Sequence, residues 1–266
     1  MSKHGSARVV LAGAAIAATA ALAGCGGVPN GTKPDVPGEN AGGTAAAAAT
    51  SRLSSTAPLT AQQSAIAAKS FAKANSIPFP VAVGNTWVYQ TQSGGQTGRT
   101  TNRVVGAGPG SAGFRVTVSS TTDIGGSAST VVPVYTFYPD GTIGYPVPSV
   151  SGVPGTGSDI RWPDAAGLAS GKVYHSLLHV QGGSADVTVQ GTGTTSISVP
   201  AGTYWASVVK TTISAQGQTV EFTVWIAQGT GPVKIQVLVR APGGTGLTTS
   251  ELLSFTKAVS AIGDGS

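Results

Sequence analysis

Beyond residue 79 apolar and polar positions alternate with a period of two. Trp87 and Tyr89 alternate with Thr86, Val88 and Gln90, and Ser93-Gly94-Gly95 ends the run. Phe114, Val116 and Val118 alternate with Arg115, Thr117 and Ser119. Such alternation gives a strand one apolar and one polar face. Val131 to Tyr138 is followed by Pro139-Asp140-Gly141-Thr142 and then by Ile143 to Tyr145, which reads as a hairpin about a Pro-Asp-Gly turn. Lys172 to Val180, Ala185 to Gln190, Thr195 to Val199, Tyr204 to Ser214, Thr219 to Ala227, Val233 to Arg240 and Thr248 to Thr256 continue the series. The pattern predicts an all-β domain over 79–258, a single antiparallel curved sheet or open β-barrel of about ten strands. The Pro- and Gly-rich stretch from Pro146 to Gly157 reads as loop, and 259–266 as a disordered tail. Gly106-Ala107-Gly108-Pro109-Gly110 reads as a turn, because no helix follows it to make a phosphate site.

The first part of the chain is patterned differently. Thr60-Ala61-Gln62-Gln63 has the form of a capping box. It predicts a short helix over Ala61 to Ala74 within a lead-in at 59–78, with Ile66, Ala67, Phe71 and Ala74 on its apolar face. Residues 25–58 are mostly Gly, Ala, Thr, Ser and Pro, with no aromatic side chain. Without large apolar groups such a segment does not offset its ordering entropy. It predicts a flexible tether with a reach of about 30 Å. Before it, Lys3, His4 and Arg8 precede an uncharged apolar run from Val9 to Ala23. That run is shorter than the roughly 20 residues of a spanning helix, and suits the core of a signal peptide over 1–24.

Leu22-Ala23-Gly24-Cys25 ends the run, and it resembles the lipobox of bacterial lipoprotein signal peptides. The resemblance implies cleavage before Cys25, lipidation of its thiol, and a lipid-anchored chain on the extracytoplasmic face of the cell membrane. Composition agrees with a simple surface chemistry. Only 9% of residues are charged, against about 25% in ordinary soluble chains. The net charge of +5 is spread without a basic run, which argues against nucleic acid as a partner. One cysteine excludes an intramolecular disulfide framework and a multi-cysteine zinc site.

Three motifs lie within the β region. They are Gly84-Asn85-Thr86-Trp87-Val88-Tyr89, Val199-Pro200-Ala201-Gly202-Thr203-Tyr204, and Trp225-Ile226-Ala227-Gln228-Gly229-Thr230-Gly231-Pro232-Val233-Lys234. Together they resemble a broad group of uncharacterised bacterial envelope β-proteins. Pro232 stands where that group carries a large apolar residue. The resemblance implies a curved antiparallel sheet, like the opened barrel of lipoprotein carriers of the LolA type. It also implies an apolar groove for a lipid or other hydrophobic ligand. Mechanically, Pro200 and Gly202 suit a tight turn, and Gly229 and Gly231 suit a chain reversal.

Trp87, Tyr89, Tyr204 and Trp225 are the candidate groove residues. Trp87 and Tyr89 share a face by strand periodicity. Tyr204 and Trp225 sit on neighbouring strands joined at Gln216-Gly217, so pairing can bring them together. Two outcomes stay open: the four line a groove, or they fill the core. His175 and His179 lie about 13 Å apart along one strand, too far to share a metal, and read as edge or exposed histidines. Asp159, Asp164 and Asp186 have no spacing that calls for acid–base chemistry. Asp159-Ile160-Arg161-Trp162 reads as a loop lock or surface ion pair, and Lys210 with Glu221 as a cross-strand ion pair. No catalytic constellation, metal site or cofactor motif stands out, which argues against an enzyme. The function predicted is a membrane-anchored lipoprotein that binds a hydrophobic envelope molecule. The alternative is a structural or interaction module of the envelope, with a protein partner and without a small ligand, and a hydrolase is the third class, with no catalytic constellation behind it.

Overall fold

A computed structural model describes residues 80–145, 160–180, 183–215 and 217–258. The signal-peptide segment, Cys25, the tether, the helix expected at Ala61 to Ala74, the loop from Pro146 to Gly157 and the tail at 259–266 lie outside the described residues.

The strands are β1 (Thr86–Ser93), β2 (Gln96–Pro109), β3 (Phe114–Ile124), β4 (Ser127–Val131), β5 (Val134–Phe137), β6 (Ile143–Tyr145) and β7 (Ile160–Trp162). Then follow β8 (Val173–Val180), β9 (Gly183–Val199), β10 (Gly202–Ala215), β11 (Gln218–Ala227), β12 (Gly231–Ala241) and β13 (Gly244–Thr256). A five-residue helix, α1 (Ala165–Ala169), connects β7 to β8. All thirteen strands belong to one antiparallel sheet, ordered β7-β6-β5-β3-β2-β1-β13-β12-β11-β10-β9-β8, with β4 pairing the far part of β3. The chain thus runs outward from β1 to one edge, crosses to the other edge, and returns to pair β13 with β1.

That crossing forces the sheet to curl. Twelve strands in the path, spaced about 4.8 Å apart, would hold β7 and β8 roughly 53 Å from each other if flat. The residues between Trp162 and Val173 reach at most about 35 Å when fully extended, and α1 shortens them further. The edges therefore come together, β7 lies against β8 and β9, and the sheet is a nearly closed barrel.

Alternation sets the interior. Trp87, Tyr89, Thr91 and Ser93 on β1 are buried while the residues between them are not. Val116, Phe137, Val187, Val209, Val233 and Leu252 are among the side chains that meet them in one core. Each contributes on the order of 1.5–3 kcal/mol by leaving water. The two ends of the barrel differ. The mouth end, where β1 begins, holds Trp87, Phe255, α1 and the β11–β12 turn. The far end is lined with hydroxyls: Ser250, Thr91, Thr100 and Thr122 bond in sequence at 2.9, 2.9 and 3.0 Å, and Ser93 bonds Thr248 at 2.9 Å.

The strands outnumber the sequence expectation for local reasons. Gly106–Pro109 belongs to β2 and not to a turn. It pairs with Thr117 to Phe114, and a bulge between Val104 and Gly106 absorbs the extra residue. The reversal falls later, where the Gly110 amide donates to the Gly113 carbonyl at 2.7 Å. β9 is one long strand across Gly191 and Gly193, again through a bulge opposite Ser207 to Val209. Pro133 interrupts the strand expected at Val131 to Tyr138, although its carbonyl still accepts from the Val118 amide at 3.0 Å. The hairpin about Asp140 forms as expected, with Phe137 opposite Ile143. Asp140 Oδ1 accepts from the Thr142 amide at 2.9 Å, closing the turn.

Candidate functional site

β8 begins opposite Gln190, so β9 runs on toward the mouth without its outer neighbour. α1 occupies that gap. Asp164 caps it, its Oδ1 accepting from the Gly167 amide at 2.8 Å. The helix lies directly on Gly191, where any Cβ would overlap the Leu168 carbonyl. Glycine is what lets helix and strand backbones touch there.

Between α1 and the barrel wall is a chamber of ≈ 330 Å³. Ile143 and Trp162 line one side, Leu168 the helix side, and Val208 and Ile226 the other. Bulges in β9, opposite Ser207 to Val209, and in β12, opposite Trp225 and Ile226, bend the wall beside it. Its volume falls in the lower part of the roughly 300–1,000 Å³ range of small-molecule sites. Deeper in the barrel a void of ≈ 20 Å³ lies among Tyr145, Ile160, Trp162, Ile213 and Phe222, room for about one water.

A second cavity of ≈ 290 Å³ lies beside the chamber, sharing Pro163 and Asp164 with it. It is polar, lined by Asp140, Thr142, Arg161, Tyr174, His175 and Ser176. Arg161 stacks its guanidinium 3.2 Å from the Tyr138 ring centroid, donates to Thr142 Oγ1 at 2.6 Å, and sits 3.6 Å from Asp140 Oδ2. The Asp-Ile-Arg-Trp segment thus supplies a surface ion pair, with Asp140 as partner.

The four candidate aromatics all lie toward the mouth, on two different faces. Trp87 and Tyr89 point into the barrel and are fully buried. Trp87 Nε1 donates to the Thr230 carbonyl at 2.6 Å, and Tyr89 Oη to the Pro232 carbonyl at 2.9 Å. The first and third sequence motifs are therefore joined side chain to turn, across the intervening β13. Trp87 also stacks on Phe255, with centroids 5.2 Å apart. Burial, with a smaller contribution from Tyr145, pushes the Tyr89 phenol far above its usual pKa. Burial first, and then Tyr145, pushes Tyr135 up in the same way.

Trp225 occupies an outward position of β11, half-buried, with Lys234 Nζ 5.7 Å from its ring and Lys234 bonded to Glu251 at 2.7 Å. Tyr204 is half-buried, its hydroxyl donating to the Ala201 carbonyl at 3.4 Å. None of the four lines the chamber. The side chains that do, Ile143, Trp162, Leu168, Val208 and Ile226, were not singled out by the sequence. Neither was Trp205, which is 68% exposed.

Other expectations have clear placements. His175 is exposed on edge strand β8. Lys210 and Glu221 pair at 2.8 Å, and Arg240 joins them at Glu221. Gly202, at the second motif, has φ +133, the left-handed region that a tight turn requires of glycine. Among the described residues no group of three or more His, Cys, Asp or Glu side chains is placed to hold a metal.

No family model and no curated protein matches the chain. Two crystal structures are similar in part. One is a chain from Parabacteroides distasonis provisionally described as a lipoprotein, with TM-score 0.46 and 16% identity over 67% of this chain and 98% of that one. The other is a chain from Bacteroides fragilis provisionally described as an exported protein with a YmcC-like fold, with TM-score 0.44 and 18% identity over 67% of this chain and 98% of that one. At these values neither likeness carries a function across.

Proposed function

We propose that this protein is an extracytoplasmic lipoprotein, held at the cell membrane through Cys25, whose barrel takes an apolar or amphiphilic envelope molecule into the chamber behind α1. One observation carries the binding part. It is the chamber of ≈ 330 Å³ beside Trp162, Leu168 and Ile226. A concave, mainly apolar space of that size with a polar cavity at its side suits an acyl or isoprenoid chain with a polar head. The anchoring part rests on the apolar run that ends at Cys25.

Trp162 lines the chamber and serves as its reporter. The purified protein, extracted with solvent, should release a lipid detectable by mass spectrometry. Titration with fatty acids, phospholipids and isoprenoid lipids should shift Trp emission for one class and not for the others. Leu168→Trp, which fills the chamber, should abolish that shift. An empty extract together with no shift for any class would remove the carrier reading.

The second reading, an interaction module for an envelope protein, is favoured by β8. This edge strand of eight residues faces a β7 of only three and exposes Val173 and Leu177. An extended segment of a partner could pair with such an edge.

A further inference from the structure

Three features meet at the mouth of the barrel. The chain enters there: Val81 is buried in the core, and the Gly84 amide donates to the Val104 carbonyl at 2.8 Å just before β1. The chamber lies there. The β9–β10 arm also ends there. Its tip folds over the mouth, with the Ala201 amide donating to the Leu252 carbonyl at 2.9 Å and Val199 buried. On this arm Trp205, 68% exposed, is the most exposed large apolar side chain among the described residues. No Asp, Glu, Lys, Arg or His occurs from Val187 to Val209.

An indole in water leaves a large apolar ring hydrated. At a bilayer interface the ring meets apolar surface while its N–H still finds a hydrogen-bond partner. A charge-free flank removes the desolvation cost that would oppose such an approach. We propose that the mouth is the membrane-facing end of the protein and that Trp205 seats in the headgroup region of the bilayer. The bilayer is the occupant because the described chain begins at this same end, at Pro80, and the sequence before it leads back to Cys25. The orientation rests on the reading of Cys25 as a lipid anchor. It also turns the chamber toward the source of its ligand.

The test uses the processed chain carrying Cys25→Ser, so that no acyl group contributes. It is mixed with vesicles of phosphatidylethanolamine and phosphatidylglycerol, with and without brominated acyl chains. The emission of the protein should shift to the blue and be quenched by the brominated lipid. Trp205→Ser should weaken partition roughly tenfold while leaving the melting temperature unchanged. Trp225→Phe should partition like the parent. Absence of quenching, or equal partition of Trp205→Ser, would overturn the proposal. So would a crosslink from position 205 to an envelope protein without lipid quenching. A failure of the anchor reading would appear separately, as absent lipid labelling of wild type in cells. A failure of the carrier reading would appear as an empty solvent extract.

Discussion

Tyr89→Phe separates the packing role of this side chain from the role of its hydroxyl. The ring remains and the interior stays filled. What is lost is the 2.9 Å bond to the Pro232 carbonyl, which is buried with Pro232 itself. Leaving that acceptor without its donor should cost about 1–3 kcal/mol. For a domain of this size 1 kcal/mol corresponds to roughly 2–4 °C, so a mid-range cost of about 2 kcal/mol should lower the melting temperature near pH 8 by roughly 4–8 °C. The second readout is alkaline pH. Burial raises the folded-state pKa of Tyr89 and of Tyr135 above the unfolded value. A raised pKa means that the stabilisation is fully present below about pH 10 and is lost as pH rises beyond it. Two such phenols remove about 2.7 kcal/mol per pH unit, and one removes about 1.4. The gap between wild type and Tyr89→Phe, about 2 kcal/mol at pH 8, should therefore close by roughly pH 11.5. Reversible urea unfolding at several pH values, followed by tryptophan emission, measures this gap. Titrating groups away from Tyr89 act on both proteins alike and cancel, and Tyr135 stays raised in both because burial is its largest cause. An unchanged midpoint at pH 8, or a gap that stays constant from pH 10 to 11.5, would refute the reasoning.

Gly191→Val should push α1 off β9, because its side chain would occupy the space of the Leu168 carbonyl; bound lipid should be lost with a cost of about 1–3 kcal/mol, read by solvent extraction and thermal melting. Thr100→Val keeps the shape of the far end but strands Thr122, whose bond to Thr100 is 3.0 Å, and should cost about 1–3 kcal/mol in urea unfolding. A fully stable variant would mean that the hydroxyl series is incidental. Cys25→Ser should move the protein from the membrane to the soluble fraction and abolish palmitate labelling; normal labelling would remove the anchor.

The parts legible in the sequence were those set by near neighbours. The Asp140 hairpin rests on one side chain and one glycine within its own turn. Lys210 and Glu221 meet because a single turn joins their strands. β2 escaped detection because its inward residues include Thr100 and Asn102, so no apolar alternation marks it. The chamber was illegible for another reason. Ile143 and Trp162 reach Val208 and Ile226 only because the sheet closes, and closure depends on the edge-to-edge crossing. Trp225 faces outward, while the neighbouring inward positions of β11 hold Val224 and Ile226, and a bulge interrupts the register beside it. Trp205 is illegible as a site because it is an outward position of β10, next to buried Ala206 and opposite Ser196.

The pairing of β1 with β13 also dictates when the barrel can be completed. The hydrogen bond between Thr91 and Ser250 spans 159 positions of chain, while nearly every other neighbouring strand pair is joined by a short turn. Each half can therefore zip up locally as a meander, and the costly loop closure is left to a single late event. During synthesis the N-terminal half emerges first, so β1 waits with one edge unpaired until β13, the last strand made, arrives to cover it. Shortening the chain from its C-terminus by one strand would leave that edge open permanently, in the middle of the sheet and beside Trp87. The protein should then fail by association of exposed strands and not by simple loss of stability.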